Sequence, residues 1–169
     1  ETGELIRDSG FMNIDSFLEN TSQDKERLLT IRMLNTDVNS VIFEDSHTQD
    51  QLIDQSLNLV EQYGFDGVVL DLEMSVIPFE DVTEQIISFV DTFSREAHGQ
   101  DKLFLMTIYG DTFYRGRPYD IKNLELFVDR FLIMAYDFHK SRGEPGPNFP
   151  FDRGSGPHLD THLGKEGNE

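Results

Sequence analysis

Short aliphatic and β-branched runs alternate along this chain with longer segments whose apolar residues recur every three or four positions, the pattern of successive strand–helix units. Leu28 to Leu34, LLTIRML, reads as the first strand. Thr48 then offers an N-cap, Leu52, Ile53, Leu57 and Val60 form one helical stripe, and Gly64 stands where a glycine ends a helix. Gly67 to Leu72, GVVLDL, has the length and near-continuous apolar character of a strand buried on both faces. From Glu80 to His98 the positions Val82, Ile86, Phe89, Val90, Phe93 and Ala97 predict a long helix closed by Gly99. Leu103 to Tyr109 reads as the third strand, Tyr119 to Val128 as a short helix, and Arg130 to Tyr136 as the fourth strand. Beyond Asp137 the segment SRGEPGPNFPFDRGSGPH is dense in glycine and proline and predicts loop, and the tail to Glu169 shows no periodicity.

These units predict an α/β chain with a parallel sheet, organised as one domain over residues 1–169 with a core of about 28–151 and a loop-rich tail at 152–169. No internal repeat or composition break marks a second domain. The 37% of hydrophobic residues, 14 Phe among them, suffice for a sizeable core. Four strands suit a small doubly wound sheet, whereas a closed eight-stranded barrel takes about 250 residues, so a barrel in this chain is expected to be reduced or a fragment. Glu1-Thr2-Gly3 reads as a processing or expression-vector scar, lacking the basic and apolar regions of a signal peptide, and no apolar run approaches a membrane span. Asn20-Thr21-Ser22 is a glycosylation sequon, a weak signal by itself.

Charge narrows the partners. Against 14 Lys and Arg stand 32 Asp and Glu, a net charge of −18, and a surface so acidic repels phosphate backbones and anionic lipid headgroups. Neither nucleic acid nor a membrane is expected as a partner. With no cysteine, disulfides, thiolate metal sites and a cysteine nucleophile are excluded. His47, His98, His158 and His162 scatter without metal-ligand spacing and read as surface residues, while His139 lies close to Tyr136 in sequence.

In parallel α/β folds the ligand lies beyond the carboxyl ends of the strands. The second strand ends in Asp71-Leu72-Glu73, and residues two apart on a strand point to the same side, so two carboxylates meet at that end. Neighbouring carboxylates raise one another's proton affinity, letting one donate a proton while the other stays charged, as glycosidases require. The competing reading is a pair that caps the next helix or bonds to basic neighbours.

With its flanks, Tyr63 to Glu73, YGFDGVVLDLE, resembles the fourth-strand signature D-x-x-D-x-D-x-E of glycoside hydrolase family 18, the chitinase-like enzymes. Asp66, Asp71 and Glu73 match its first, third and fourth acidic positions, and Val69 stands at the second. Phe131 to His139, FLIMAYDFH, resembles the family's sixth strand with its M-x-Y-D signature, and Gly146 to Pro150, GPNFP, is similar to the connection that follows. The resemblance covers roughly Leu28 to Phe151, strands three to six of the family's barrel. The remaining four strands have no visible counterpart, and the chain has no Trp for the aromatic floor that the family usually draws from the last strand.

The resemblance implies a (β/α) TIM-barrel type of fold shortened to about four units. It also implies a retaining, substrate-assisted hydrolase of β-1,4 bonds next to N-acetylglucosamine, needing neither cofactor nor metal. Glu73 would protonate the leaving oxygen, Asp71 would orient the acetamido group and stabilise the oxazolinium intermediate, and Tyr136 would hydrogen-bond the acetamido oxygen. Asp137 would contact the sugar, Asp66 would support the loop geometry below Asp71, and Met106, Tyr109 and Met134 would line the floor, ordinary core packing being the alternative for each of these three. Apart from the resemblance, Asp111, Tyr114, Arg115 and Arg117, in the loop after the third strand, sit at the ligand end and read either as contacts to distal sugars or as a solvated loop. Val69 cannot share a proton with Asp71, which suggests an altered pH dependence or substrate. The expected partner is an N-acetylglucosamine-containing polysaccharide, chitin or peptidoglycan, and the expected location extracellular or in the cell wall. Two alternatives are a lectin-like glycan-binding module, which the presence of Glu73 disfavours, and a reduced half-barrel serving interaction. An incomplete barrel would expose two sheet edges and favour oligomerisation.

Overall fold

The computed structural model describes residues 3–74, 80–113 and 115–136. Two short helices open it, α1 (Ser9–Met12) and α2 (Ile14–Asn20), and the alternation then runs β1 (Leu28–Met33), α3 (Thr36–Glu44), α4 (Ser46–Tyr63), β2 (Gly67–Leu72), α5 (Glu80–His98), β3 (Leu103–Tyr109), α6 (Ile121–Leu124) and β4 (Arg130–Met134). The sheet has the order β1-β2-β3-β4, with β1, β2 and β3 paired in parallel. This is an α/β fold of the (β/α) barrel type, represented among the described residues by four strands. By Cα packing the chain divides into Glu1–Ile133 and Met134–Glu169. Of the second unit Met134 to Tyr136 are described, Met134 and Ala135 partly buried and Tyr136 exposed. The predicted loop from Asp137 and the tail lie outside the described residues.

Several boundaries differ from the sequence reading, each for a local reason. The helix expected to be capped by Thr48 begins earlier, because the Asp45 carboxylate accepts from the His47 and Thr48 N–H groups. Its other end agrees with expectation: Gly64 takes the left-handed conformation, φ 65°, and its N–H returns to the last turn. Helix α3 was not anticipated; Asn35 caps it through the Asp37 and Val38 N–H groups. The helix expected over Tyr119–Val128 shrinks to the four residues of α6, since Asp120 caps it and the chain after Leu124 continues as turns. β4 stops at Met134, two residues before the expected end at Tyr136.

Alternation along the strands builds the core. Val68, Leu70 and Leu72 of β2, with Phe104 and Met106 of β3, join Leu52, Ile53, Leu57 and Val60 of α4 and Ile86, Phe89 and Phe93 of α5 in one buried cluster. Rings carry much of the contact: Phe93 lies 5.9 Å from Phe89 and 5.1 Å from Phe104, centroid to centroid, and Phe89 lies 5.5 Å from Phe43. β2 and β3 approach so closely at their start that a Cβ on Gly67 would clash with the Leu103 carbonyl oxygen. Gly67→Ala is therefore expected to destabilise the fold by about 1–3 kcal/mol, read as a lower urea midpoint; an unchanged midpoint would mean that the two strands part without cost.

The outer strands are tied at their starts, where Arg130 of β4 makes two bonds, 2.6 and 2.8 Å, to Glu26 before β1. Next to it, Asp129 accepts from the Phe104 N–H (2.7 Å) and pairs with His98 at the end of α5 (3.0 Å), so His98 has a structural partner. Burial acts to raise the Asp129 carboxyl, but these bonds outweigh it and hold the group below its usual range. A carboxyl depressed in the folded state adds stability above its unfolded pKa of about 4 and loses it as pH falls through the lower folded value. Asp129→Asn is accordingly expected to lower stability at neutral pH and to flatten the loss of stability below about pH 4, measured by urea titration at each pH. An acid limb as steep as the parent's would show that other carboxylates carry it.

Candidate active site

β2 carries Asp71 at its carboxyl end, and Glu73 follows just beyond it on the same side. In the β1–β2 register Arg32 stands opposite Asp71, and the β2–β3 register, which runs to Leu70↔Met106, brings Thr107 alongside it. Asp71 is thus flanked on both sides: the Thr107 hydroxyl donates to it at 2.6 Å, and the Arg32 guanidinium lies 3.6 Å away. Its side chain is largely covered, 14% exposed, while that of Arg32 remains 57% exposed. Val69, one step down the same face, is buried in register with Thr30 and Leu105, so the layer beneath Asp71 is mostly apolar.

Glu73 follows the last residue of β2. Its N–H donates to the Met33 carbonyl, 2.9 Å, and its carboxylate accepts from the Tyr109 hydroxyl at 3.3 Å. The Tyr109 ring lies under the Arg117 guanidinium, 4.2 Å from the centroid, and Arg117 is held by Asp111 through bonds of 3.0 and 2.9 Å. Burial first, then the Glu73 charge, push the Tyr109 phenol up to about 12, so at ordinary pH it remains a donor. The Asp111 bonds raise Arg117 further, keeping it cationic. Arg115 adds a second, longer contact to Asp111, 3.4 Å, from an exposed position.

Among the residues expected at the site, Asp71, Glu73 and Tyr109 come together. Met106 does not join them: it is fully buried in register with Leu70 among the helix-facing residues, and strand alternation gives Thr107 the place beside Asp71. Asp66 lies at the opposite end of β2, where its carboxylate accepts from the Arg27 N–H at 2.7 Å and its carbonyl from the Leu103 N–H. It organises the strand starts, five residues from Asp71. Tyr136 is 52% exposed and Met134 partly buried. Asp137, Tyr114, His139, His158, His162 and the Gly146–Pro150 connection lie outside the described residues. Sequence reading missed Arg32, Thr107 and also Tyr119, whose hydroxyl bonds the main chain on both sides of Glu73.

Among the described residues no cluster of three or more His, Asp or Glu side chains could hold a metal ion, and no helix is long and apolar enough to cross a membrane. A groove of about 380 Å³ between the N-terminal segment and α4 is lined by Arg7, Gln51 and Gln62 and shares no residue with the β2 end.

The profile of the glycosyl hydrolases family 18 matches residues 10–163. The chain belongs to that family. Its fold is shared by a putative sporulation-specific glycosylase, YdhD, of Bacillus subtilis, with a TM-score of 0.72, 22% identity, and coverage of 88% of this chain and 50% of that one. The spore cortex-lytic enzyme SleL of Bacillus cereus also gives 0.72 at 22% identity, covering 87% and 35%. A mutant class V chitinase from Nicotiana tobaccum, in complex with NAG4, gives 0.67 at 23% identity, covering 86% and 45%. This family 18 chain therefore spans half or less of the length of these structures. No curated protein matches it.

Proposed function

We propose that this family 18 chain carries the acid-bearing part of a retaining, substrate-assisted glycoside hydrolase that cleaves β-1,4 bonds beside N-acetylglucosamine. The observation that supports it most is the unequal fixing of two carboxylates on one face. Asp71 is held by a 2.6 Å bond from Thr107 and by Arg32, whereas among the described residues the Glu73 carboxylate keeps only the 3.3 Å contact to Tyr109. The tightly held group suits a stationary task, orienting the substrate's acetamido group and stabilising the cationic oxazolinium ring that its oxygen forms on attacking the anomeric carbon. The looser group suits proton delivery: Glu73 protonates the departing glycosidic oxygen, and its carboxylate then takes a proton from the water that opens the ring. No second carboxylate nucleophile is required.

In this reading Tyr136 hydrogen-bonds the acetamido oxygen, Asp137 contacts the sugar, and Tyr109 and Met134 lie beneath it. The substrate is a polysaccharide containing N-acetylglucosamine, of the chitin or peptidoglycan class, which places the work outside the cell or in its wall. The test is incubation of the full chain with a fluorogenic N-acetylglucosamine oligomer, and in parallel with chitin and peptidoglycan, while NMR follows the first anomer released. A β product at the outset supports retention. An α product first, or no turnover from demonstrably folded protein, overturns the reading, and oligomer binding without turnover would assign a lectin-like role.

A further inference from the structure

Tyr119 is almost fully buried, 5% exposed, and its hydroxyl makes two bonds at once. It donates to the Leu72 carbonyl at 2.8 Å and accepts from the Met74 N–H at 2.9 Å. Leu72 and Met74 are the residues on either side of Glu73. The ladder between β2 and β3 runs only from Gly67↔Leu103 to Leu70↔Met106, so β3 does not supply these two peptide groups with partners. In a parallel pair one residue bonds, through its N–H and its C=O, to residues i and i+2 of its neighbour. A phenolic hydroxyl, donor and acceptor in one atom, reproduces that pattern where the strand has run out.

We infer that Tyr119 is a positioning residue for Glu73, its hydroxyl standing in for a missing strand residue and fixing the main chain from which the acid projects. The inference rests on the reading of Glu73 as the proton donor. Burial raises the Tyr119 phenol well above its ordinary value, so the hydroxyl keeps its proton and both bonds persist across the working pH range. The Tyr119 ring lies 6.0 Å from that of Tyr109, whose hydroxyl meets the Glu73 carboxylate. One segment, residues 109–120, therefore holds both the backbone of Glu73 and its side chain. Proton transfer demands hydrogen-bond reach to the leaving oxygen, and a displacement of about 1 Å can cost 10²-fold in rate.

Tyr119→Phe keeps the ring and removes only the bridge. On the fluorogenic oligomer it is expected to lower kcat about tenfold or more with KM little changed. A readout independent of turnover is the NMR titration of the Tyr109 phenol: burial first and then the Glu73 charge and bond raise it, so it should fall part of the way once the acid drifts away. Ser56→Ala serves as the control, removing another buried hydroxyl bond (Ser56 to the Leu52 carbonyl, 2.7 Å) within α4; it should alter stability but neither kcat nor the Tyr109 titration. An unmoved Tyr109 titration in Tyr119→Phe, or an equal loss of kcat in Ser56→Ala, overturns the inference. Should Glu73→Gln keep full turnover, the role of Glu73 as acid falls, and the titration still decides whether Tyr119 holds it.

Discussion

Glu73→Gln is expected to reduce turnover of an N-acetylglucosamine oligomer by about 10²–10⁴-fold, the usual worth of a general acid, while leaving oligomer binding and the folded state intact. Gln has nearly the same shape, and its amide oxygen still accepts from the Tyr109 hydroxyl, so what disappears is the transferable proton and little else. The measurement pairs single-turnover kinetics with calorimetric binding of a tetramer, because a variant that lost both would indicate a damaged cleft. Turnover within a fewfold of the parent would pass the role of acid to another group, with Asp71 the nearest candidate. Asp71 is poorly placed for it, since Thr107 and Arg32 already engage both of its oxygens.

The largest stability effect is expected at Phe93. Its side chain is fully buried, and its ring connects Phe89 of the same helix to Phe104 of β3. Phe93→Ala removes transfer free energy and leaves a void between helix and sheet, a cost of about 3–5 kcal/mol. A domain's whole stability is about 5–15 kcal/mol, so this one change consumes a large part of it. Urea unfolding followed by circular dichroism should show the midpoint fall with an unchanged slope. A loss below about 1 kcal/mol would mean that α5 does not rest on β3 through this ring. Because α5 follows β2 directly, Phe93→Ala should lower activity in step with the folded fraction, unlike Glu73→Gln.

The α/β alternation was legible because the central strands β2 and β3 are largely buried on both faces and their apolar runs are nearly unbroken, while α4 and α5 carry stripes of helical period; the barrel type came from the family resemblance. Errors fell where two local signals competed. Thr48 and Asp45 both belong to the capping residue types, and Asp45 took the position because its carboxylate reaches two N–H groups. Helix α3 went unseen because its buried residues, Asn39, Ile42 and Phe43, are few and include a polar one. Asn39 is satisfied only in the folded chain, where its amide donates to the Met33 carbonyl at 2.9 Å.

By itself the sequence determined that Asp71 and Glu73 share a face, because the two-residue period of a strand is a property of the backbone and needs no partner. It also determined the helix-facing stripes and, through the signatures around Asp71 and Tyr136, the family. Which side chains surround the two acids was decided by the tertiary structure alone. Arg32 and Thr107 lie 39 and 36 residues from Asp71 in sequence, and the register of β1 and β3 against β2 brings them within reach, while Tyr119, 46 residues from Glu73, comes from the segment after β3. That register also sets the parity of β3, sending Met106 into the core and Thr107 to the acid. A shift by one residue would exchange them, and nothing local to β3 specifies which it should be.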